Sequence, residues 1–425
     1  MYKTLAKYAY EHYQYRLLSD DELIHRQMLK FNRVFSHACK YVPFYSTLYR
    51  RNDILGKTLH YPDELDLVPI VTKKDFRSVP HNELVSQVPM GRVNRHFTSG
   101  STGEPFLVEM SKQAEYTAHM RIFFTLLRHG YDPSKRMLIL SRYESDSKFE
   151  VERDIGLLKT LQKSIGLFDR RIVSIYQNQE TIVRSIMRFK PYVMVSTPGV
   201  LSILINHLKT SRIRLEVPLL FLTSETITPV FLREIHEYLG STVIDMYGCM
   251  ECPSIGYEVN GSGKRYVSTE SCLVELESVD DNAPTQSNVI ITNLLNHIQP
   301  VIRYSVGDRA LGTQNRTKCI RALGKITGRV DDIIKTVDGT IIAHHHAYEM
   351  FMDFVECRQF KFLQKDNQVT LLLVVDQGED EECIIREANA RLNRRYPSAK
   401  IGVEIVDEIL PDPNTGKIKN IEVIQ

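Results

Sequence analysis

The chain has 425 residues, more than one compact hydrophobic core usually holds, so two or three domains are expected. Its 43% hydrophobic and 25% charged residues are typical of a soluble globular protein, and its net charge of +2 argues against a nucleic-acid partner. The sequence contains no run of about 18 apolar residues, so no membrane span is predicted. The seven scattered cysteines favour reduced thiols in a cytoplasmic protein over a disulfide framework.

The first 50 residues are predicted to be helical. Asp20 or Asp21 is predicted to cap the start of a helix, and the segment Val42-Pro43-Phe44-Tyr45 interrupts the pattern. We expect this region to pack on its own domain rather than to bind a partner. The apolar side chains that recur at helical spacing are Leu23, Ile24, Met28, Phe31, Val34 and Phe35.

A polar segment, Thr98-Ser99-Gly100-Ser101-Thr102-Gly103, lies between strand-like runs at 93–97 and 106–110. Its glycines leave backbone N–H groups unscreened and its hydroxyls add donors, so the segment is suited to phosphate oxygens. A polar hairpin turn is the alternative interpretation. The continuation Glu104-Pro105-Phe106 lacks the Gly-Lys-Ser/Thr of a P-loop, and no Gly-x-Gly-x-x-Gly opens a helix, which argues against kinase-type and dinucleotide-binding proteins.

Strands and helices are predicted to alternate after a helix at 112–129. This alternation predicts a parallel α/β sheet covered on both faces. The predicted strands are 137–140, 172–176, 193–195, 219–222 and 243–244, and the predicted helices are 178–190, 199–209 and 229–239. From 266 to 314 the helical pattern disappears, and strands at 273–276, 289–291 and 301–304 predict a β-rich subdomain.

The last part of the chain is predicted to form a separate small unit with both helix and strands. A strand at 369–375, a helix at 381–395 and a strand at 403–406 follow a stretch rich in Gly, Lys and Asp at 324–339. That composition is typical of a hinge, so we place a domain boundary near residue 331.

Four further segments carry residues suited to nucleotide chemistry. Tyr247-Gly248-Cys249-Met250-Glu251 follows a predicted strand, where open α/β sheets bind ligands, and offers an aromatic face and a carboxylate. Each segment alone is also explained by a sheet-end turn, a surface aspartate, a charged linker or a tail lysine. Their order along the chain, together with the glycine-rich loop, is harder to explain in that way. The other three are Arg303 to Asp308, Gly328 to Lys335, and Pro411 to Lys419.

With these five segments, the chain resembles the adenylate-forming superfamily, which includes acyl-CoA synthetases, luciferases and the adenylation domains of peptide synthetases. Within it, the chain is most similar to the phenylacetate–CoA ligase branch and its capsule-biosynthesis relatives. The resemblance implies an α/β fold in two parts. A large N-terminal α/β domain with a β-rich subdomain, residues 1–330, would bind ATP and the acyl substrate. A small mobile α+β domain, residues 331–425, would carry the catalytic lysine.

The resemblance implies a nucleotide site formed by several of these segments. Thr98 to Gly103 would hold the phosphates of ATP. Ser224 and Glu225, in Thr223-Ser224-Glu225-Thr226, would line the adenine pocket, and Tyr247 would stack on the base beside Gly248.

The remaining implied roles concern charge and movement. Glu251 would hold Mg²⁺ against the phosphates, and Asp308 would bind the ribose hydroxyls with Arg329 assisting nearby. Asp331 would be the pivot of a domain rotation, and Lys417 would be the catalytic lysine of adenylation. Joining a carboxylate to a phosphate brings two anions together, so such a site needs cationic groups of this kind.

The predicted activity is an AMP-forming carboxylate ligase that uses ATP, Mg²⁺ and coenzyme A. The first step gives an acyl-adenylate and the second an acyl-CoA thioester. Two alternatives stay open: transfer of the acyl group to an amine or hydroxyl acceptor, such as a sugar in polysaccharide biosynthesis, and a non-catalytic nucleotide-binding relative. The resemblance implies that Ser196 to Gly199 and the turn at Met246 to Met250 line the acyl pocket, and the Tyr, Met and Ile residues near them favour an apolar or aromatic acid. Relatives of this branch also suggest a homodimer.

Two groups of residues raise the question of another metal. Cys249 and Cys252 have the spacing of zinc ligands, with Cys319 further along the chain, but buried free thiols explain them more simply. His344, His345 and His346 are consecutive, so they cannot all face one ion from a strand, and a loop is the preferred interpretation.

Overall fold

The computed structural model describes residues 2–89, 91–97, 106–141, 169–278, 286–311, 318–329, 333–343, 347, 350–351, 354, 356–375, 378–410 and 418–424. The chain forms two compact units. The first comprises Met1–Arg128, Met246–Glu258 and Gly263–Ile326, and the second comprises His129–Asp245, Val259–Ser262 and Thr327–Gln425. Each unit is therefore built from segments that are distant in sequence.

The first unit combines N-terminal helices with antiparallel strands. Its helices are α1 (Tyr2–Leu17), α2 (Asp20–Tyr41), α3 (Pro43–Arg51), α4 (Lys73–Arg77), α5 (His81–Leu84) and α6 (Lys112–Arg128), with a 3-10 helix at Pro62–Leu67. Its strands are β1 (Val93–Phe97), β2 (Leu107–Ser111), β8 (Cys252–Val259), β9 (Arg265–Val267), β10 (Cys272–Ser278), β11 (Gln286–Asn293), β12 (Tyr304–Leu311) and β13 (Ala322–Leu323). Strands β10, β11 and β12 are consecutive in one antiparallel sheet, and β1 pairs with β2.

Helix α2 is defined by its sequence and by its packing. Ser19 caps its first turn in a capping box with Glu22, so the cap precedes the predicted Asp20 or Asp21, which lie in the first turn. The apolar stripe predicted at helical spacing is largely buried, with Phe31, Val34 and Phe35 fully inaccessible to solvent. These side chains belong to the same hydrophobic core as strands β10 to β12, so the helical region packs on its own unit as predicted.

Tyr45 connects the helical layer to the polypeptide that leads into β12. Its side chain is fully buried, and its hydroxyl donates to the carbonyl of Pro300 at 3.2 Å and accepts from the N–H of Ile302 at 3.1 Å. Pro43 occupies the first turn of α3, where a missing N–H costs nothing, so the interruption predicted from the sequence is a helix boundary. This contact fixes the approach to a strand that carries a candidate site residue.

Two histidines of the first unit, His37 and His297, pack against one another. The rings of His37 and His297 are 5.3 Å apart, and His37 Nε2 lies 3.0 Å from Ser86 Oγ. Burial lowers the pKa of both below the ordinary value of 6.5, and the neighbouring His297 lowers the pKa of His37 further.

We expect this pair to lower stability as the pH falls below 6.5. In that range the unfolded chain binds protons that the folded chain does not, so the free energy of unfolding decreases through the folded pKa values. Above pH 6.5 both rings are neutral and the contribution is complete. Thermal unfolding between pH 7.5 and 5.0 should show this loss, and His37→Gln should flatten it. His236→Gln, at an exposed site, is the control and should keep the wild-type dependence of unfolding temperature on pH. If His37→Gln keeps that same dependence, the expectation is contradicted.

The second unit begins as an α/β sheet. Strands β4 (Arg170–Ser174), β3 (Met137–Ser141), β5 (Val193–Ser196) and β6 (Leu219–Thr223) are neighbours in that order, and all three pairings are parallel. Helices α7 (Gln179–Phe189), α8 (Pro198–Thr210) and α9 (Pro229–Leu239) connect or follow them. Asn178, Thr197 and Thr228 cap these helices, and prolines begin α8 and α9. Strand β7 (Thr242–Cys249) leads out of this unit at Asp245.

The end of the chain supplies a second sheet within this unit. Strands β17 (Cys357–Lys365) and β18 (Gln368–Val375) form a hairpin flanked by β19 (Ile401–Ile405) and β20 (Ile421–Ile424), in the order β19-β18-β17-β20. Helix α10 (Glu381–Arg395) packs beside β19. The remaining strands are β14 (Ile326–Arg329), β15 (Ile333–Lys335) and β16 (Ile341–Ala343). Residues 334–421 contribute a hydrophobic core of their own, distinct from that around α7 to α9. The domain boundary at 330/331 stays a prediction.

The mixed α/β class is confirmed, and the alternation from β3 to α9 follows the predicted order. One strand was placed wrongly. The run predicted at 301–304 is not a strand, and β12 begins only at Tyr304. Arg303 has a left-handed φ of 44°, which breaks an extended conformation, and buried contacts to its guanidinium hold it there. None of the helices in the described part of the chain is long and apolar enough to cross a membrane.

Candidate active site

Tyr247 and Asp308, two of the predicted nucleotide-binding residues, are in direct contact. Tyr247 Oη donates a hydrogen bond to Asp308 Oδ2 at 2.8 Å. Asp308 lies where the pairing of β12 with β11 shifts register, and Gly307 beside it has a φ of 80°. Such irregularities redirect side chains, and glycine adopts this φ without strain. The structure thus brings together the ring predicted to face adenine and the carboxylate predicted to bind ribose.

Arg265 supports the ring of Tyr247. Its Cζ lies 5.6 Å from the centroid of that ring, and its Nη2 lies 3.3 Å from Glu258 Oε2. A guanidinium at this distance attracts the ring electrons, and both members of the ion pair are buried. Burial raises the pKa of Tyr247 well above its ordinary value, and the Asp308 carboxylate raises it further. The tyrosine therefore stays protonated and continues to donate to Asp308.

Glu251 is held beside this pair by a residue of the same strand as Asp308. Its side chain is only 5% exposed, and Oε1 accepts a hydrogen bond from Tyr304 Oη at 3.0 Å. Its carbonyl accepts from Asn293 Nδ2, also at 3.0 Å. Tyr304 precedes Asp308 by four positions on β12, so Glu251 and Tyr247 both contact that strand.

The donor set fits magnesium better than a metal held by protein alone. Among the described residues, no group of three or more His, Cys, Asp or Glu side chains is arranged to hold a metal ion. Mg²⁺ is commonly bound by one or two carboxylates, with phosphate oxygens and water completing its octahedron. Glu251 supplies one carboxylate of that kind.

Gly248 has a structural reason to be glycine. A Cβ added there would lie 2.3 Å from the carbonyl oxygen of Pro253, closer than atoms can approach. Glycine is therefore required at this position of β7, where the backbone of β8 approaches closely. Tyr247 precedes Gly248 on β7, and Glu251 lies in the short turn that connects β7 to β8.

Ser224 and Glu225 lie in the second unit, directly after β6. Ser224 is exposed and has a φ of 79°, an uncommon conformation for a residue other than glycine and one often found at functional sites. Glu225 Oε2 accepts a hydrogen bond from the N–H of Gly199 at 2.9 Å, in the first turn of α8. The N–H of Ile418 approaches the same oxygen at 3.5 Å. Both residues lie at the carboxyl end of a parallel strand, where such sheets bind ligands.

The other predicted site residues are only partly described. Arg329 ends β14 in the second unit and is half-buried. The phosphate loop Thr98 to Gly103, the pivot Asp331 and the catalytic lysine Lys417 lie outside the described residues, as do His344 to His346. The strands predicted on either side of the loop are present and pair antiparallel, with Phe97 opposite Leu107.

All seven cysteines are described, and all are free thiols. Burial raises the pKa of Cys249 and of Cys319, which favours the protonated form. A hydrogen bond with the Cys272 side chain is the main cause that raises the pKa of Cys252. These environments are those of buried structural thiols.

Three contributors to the site were not identified from the sequence. Arg265 is an isolated arginine in a short strand, and no motif singles it out. Tyr304 lies within a recognised motif, but its hydrogen bond to Glu251 depends on the pairing of distant strands. Gly199 was assigned to the acyl pocket, and its N–H contact with Glu225 has no sequence signal beyond the helix start at Pro198.

Comparison with known proteins identifies relatives along the whole chain. No family model matches the sequence. The chain is 21% identical to protein CapK of Staphylococcus aureus over 450 residues, covering 99% of this chain and 94% of CapK. It is 24% identical to phenylacetate-coenzyme A ligase of Escherichia coli (strain K12) over 336 residues, covering 74% of this chain and 73% of that protein.

Solved structures share the fold. A structure of 2-hydroxyisobutyryl-CoA ligase in the postadenylation state, in complex with 2-HIB-AMP, matches with a TM-score of 0.66 and 18% identity, covering 94% of this chain and 88% of that one. The same ligase in complex with 2-HIB-AMP and CoA in the thioesterification state matches with a TM-score of 0.57 and 18% identity, covering 96% and 90%. The recognition made from the sequence motifs is confirmed: the relatives and solved structures that the chain resembles are of the kind that those motifs indicate.

Proposed function

We propose that the protein is an AMP-forming carboxylate ligase, which joins a small carboxylic acid to AMP and then transfers the acyl group to coenzyme A. The observation that carries this proposal is the contact of Tyr247 with Asp308, with Glu251 held by Tyr304 on the same strand. An aromatic ring, a carboxylate acceptor and a second carboxylate at the end of a sheet match the needs of a base, a ribose and a metal-bound phosphate. The similarity to phenylacetate-coenzyme A ligase supports coenzyme A as the acceptor of the acyl group.

The nucleotide would be held by residues from both sides of the β7–β8 turn and by the glycine-rich loop. The Tyr247 ring offers an apolar face to adenine, and Asp308 accepts hydrogen bonds from the ribose hydroxyls. Ser224 and Glu225 would line the adenine pocket, and Arg329 would assist at the ribose. Thr98 to Gly103 would donate backbone and hydroxyl hydrogen bonds to the phosphates.

In the first step, a carboxylate oxygen of the acid bonds to the α-phosphorus of ATP. The bond from that phosphorus to the bridging oxygen breaks, and pyrophosphate leaves. The Lys417 ammonium would balance the negative charge that develops between the two anions. A Mg²⁺ ion held by Glu251 would neutralise part of the phosphate charge when bound.

In the second step, the thiol sulfur of coenzyme A bonds to the acyl carbon, the thiol proton is released and AMP leaves. The residues from 331 onward would move about Asp331 between the two steps, so that Lys417 can withdraw and the thiol can enter. This is why the lysine is proposed on a small mobile domain rather than on the main sheet.

Several finer properties belong to the same proposal. The substrate would be an apolar or aromatic acid, because Tyr, Met and Ile residues lie near Ser196 to Gly199 and Met246 to Met250 in the sequence, the segments proposed to line its pocket. The seven free cysteines support a cytoplasmic location. A homodimer is proposed from the resemblance to this branch.

The proposal is tested by ATP–pyrophosphate exchange with panels of aryl, short-chain, amino and sugar acids. We expect exchange with one class of acid and formation of a thioester only when coenzyme A is added. Amide or ester product formed without coenzyme A would instead support transfer to an amine or hydroxyl acceptor. ATP binding without exchange on any acid would overturn the proposal and leave a non-catalytic nucleotide-binding protein.

A further inference from the structure

The second unit holds two hydrophobic cores, and a set of polar contacts joins them. One core lies around helices α7 to α9, and the other is formed by residues 334–421. The carbonyl of Arg358, near the start of β17, accepts a hydrogen bond from Thr228 Oγ1 at 3.3 Å. Thr228 is also the N-cap of α9, so β17 begins directly against the start of that helix.

The side chain of Arg358 forms a buried ion pair with α9. Its Nε lies 2.7 Å from Glu234 Oε1, and its Nη2 donates to Glu234 Oε2 at 3.1 Å and to Asn206 Oδ1 of α8 at 2.7 Å. Lys209 of α8 donates to Glu234 Oε1 at 3.1 Å. Arg358 is 9% exposed and Glu234 is 7% exposed. The guanidinium of Arg358 on β17 thus contacts both α8 and α9.

A second contact joins the C-terminal core to the residues around α8. The N–H of Ile418 approaches Glu225 Oε2 at 3.5 Å, and Ile418 Cγ1 would lie 3.4 Å from a Cβ added to Gly199. Beyond Ile418 the chain is fixed to β17, because Asn420 donates to the carbonyl of Phe360 at 3.0 Å and β20 pairs with β17. Ile418 is the described residue that follows Lys417 in the sequence.

The polar junction between β17 and helices α8 and α9 is suited to a contact that forms and separates. A buried ion pair gains little net stability, because the loss of hydration of two charges offsets their attraction. When such a junction opens, both charges regain water, so the cost of opening is smaller than for an apolar junction of equal area. The pair does supply geometry, since the planar guanidinium donates to a carboxylate in only a few orientations.

We infer that Arg358 and Glu234 are positioning residues, which hold the C-terminal core on α8 and α9 for the adenylate-forming step and release it for thioester formation. The inference rests on the proposed function, because it assigns the two half-reactions to a docked and a released arrangement. The contact of Ile418 with Glu225 assigns the docked arrangement to the step that uses Lys417. Neither Arg358 nor Glu234 needs to touch a substrate in this role.

The experiment measures the two half-reactions separately in the full-length protein. Pyrophosphate exchange reports the first, and thioester formation from a supplied acyl-adenylate and coenzyme A reports the second. Glu234→Gln leaves Arg358 without a balancing charge and should lower exchange by about tenfold or more, while thioester formation stays within about twofold of wild type. The matched control is Glu237→Gln on the same helix, where an exposed carboxylate 2.9 Å from Arg214 should matter to neither step.

A second variant keeps the inference testable if Glu234→Gln folds poorly. Replacing the pair by apolar residues, Glu234→Leu with Arg358→Met, removes both charges and should favour the docked arrangement. We expect exchange to be retained and thioester formation to fall, the opposite of the single variant. Equal losses in both half-reactions, or no change in either variant, would overturn the inference. Absence of exchange in the wild-type protein and in Glu237→Gln would instead overturn the proposed function, and the inference with it.

Discussion

Replacing Lys417 with alanine is expected to lower ATP–pyrophosphate exchange by about 10²–10³-fold, the usual cost of losing one charged or hydrogen-bonding group aimed at developing charge. The attacking carboxylate and the α-phosphate are both anionic, and the ammonium would offset their repulsion only as the new bond forms. The loss should therefore appear in kcat for exchange, with a small change in KM for ATP.

The neighbouring Lys419→Ala provides the matched control, since it removes a second lysine from the same stretch of chain. It should exchange within a few-fold of wild type. Thioester formation from a supplied acyl-adenylate should persist in Lys417→Ala, because the charge that the lysine balances belongs to the first step alone. If Lys417→Ala exchanges as fast as wild type on the acid that the wild type accepts, the assignment of the catalytic lysine is wrong.

Local sequence pattern predicted most of the second unit because its elements are defined locally. Strands β3, β5 and β6 are short runs of mainly apolar residues, and helices α7, α8 and α9 each follow a capping residue. Such signals predict an element from neighbouring residues alone, without reference to the rest of the chain. The prediction of a strand at 301–304 was wrong for the opposite reason. The sequence there is mainly apolar, as in a strand, but the backbone of Arg303 is set by contacts with residues more than 200 positions away.

The candidate site shows the same division between local and distant causes. The Tyr247 to Glu251 turn and Asp308 are visible in the sequence, since each lies in a compact motif. The hydrogen bond between Tyr247 and Asp308 joins residues that are 61 positions apart. The hydrogen bond from Tyr304 to Glu251 joins residues that are 53 positions apart. Arg265 could not be found because its role depends wholly on where the ring of Tyr247 comes to lie.

Arg303 illustrates how a residue in a functional motif can serve the fold instead. It belongs to the segment that ends in Asp308, yet its side chain is buried and pairs with residues of the fold. Its Nη1 donates to the carbonyls of Leu65 and Val68, each at 2.6 Å. Its Nε and Nη2 lie 3.0 and 2.9 Å from the two oxygens of Glu275. Burial raises the pKa of Glu275, and the Arg303 guanidinium opposes that rise.

Arg303→Met is therefore expected to reduce the free energy of unfolding by about 3–5 kcal/mol, because it leaves a buried carboxylate without its counter-charge and two buried carbonyls without a donor. The paired variant Arg303→Met with Glu275→Leu should recover part of this loss, since no unpaired charge remains. Urea denaturation of the full chain measures both. The exposed pair of Arg184 with Glu180 is the control, and Arg184→Met should change stability by less than about 1 kcal/mol. A loss that small in Arg303→Met would show that the guanidinium is not what fixes the entry into β12, and the position of Asp308 would need another cause.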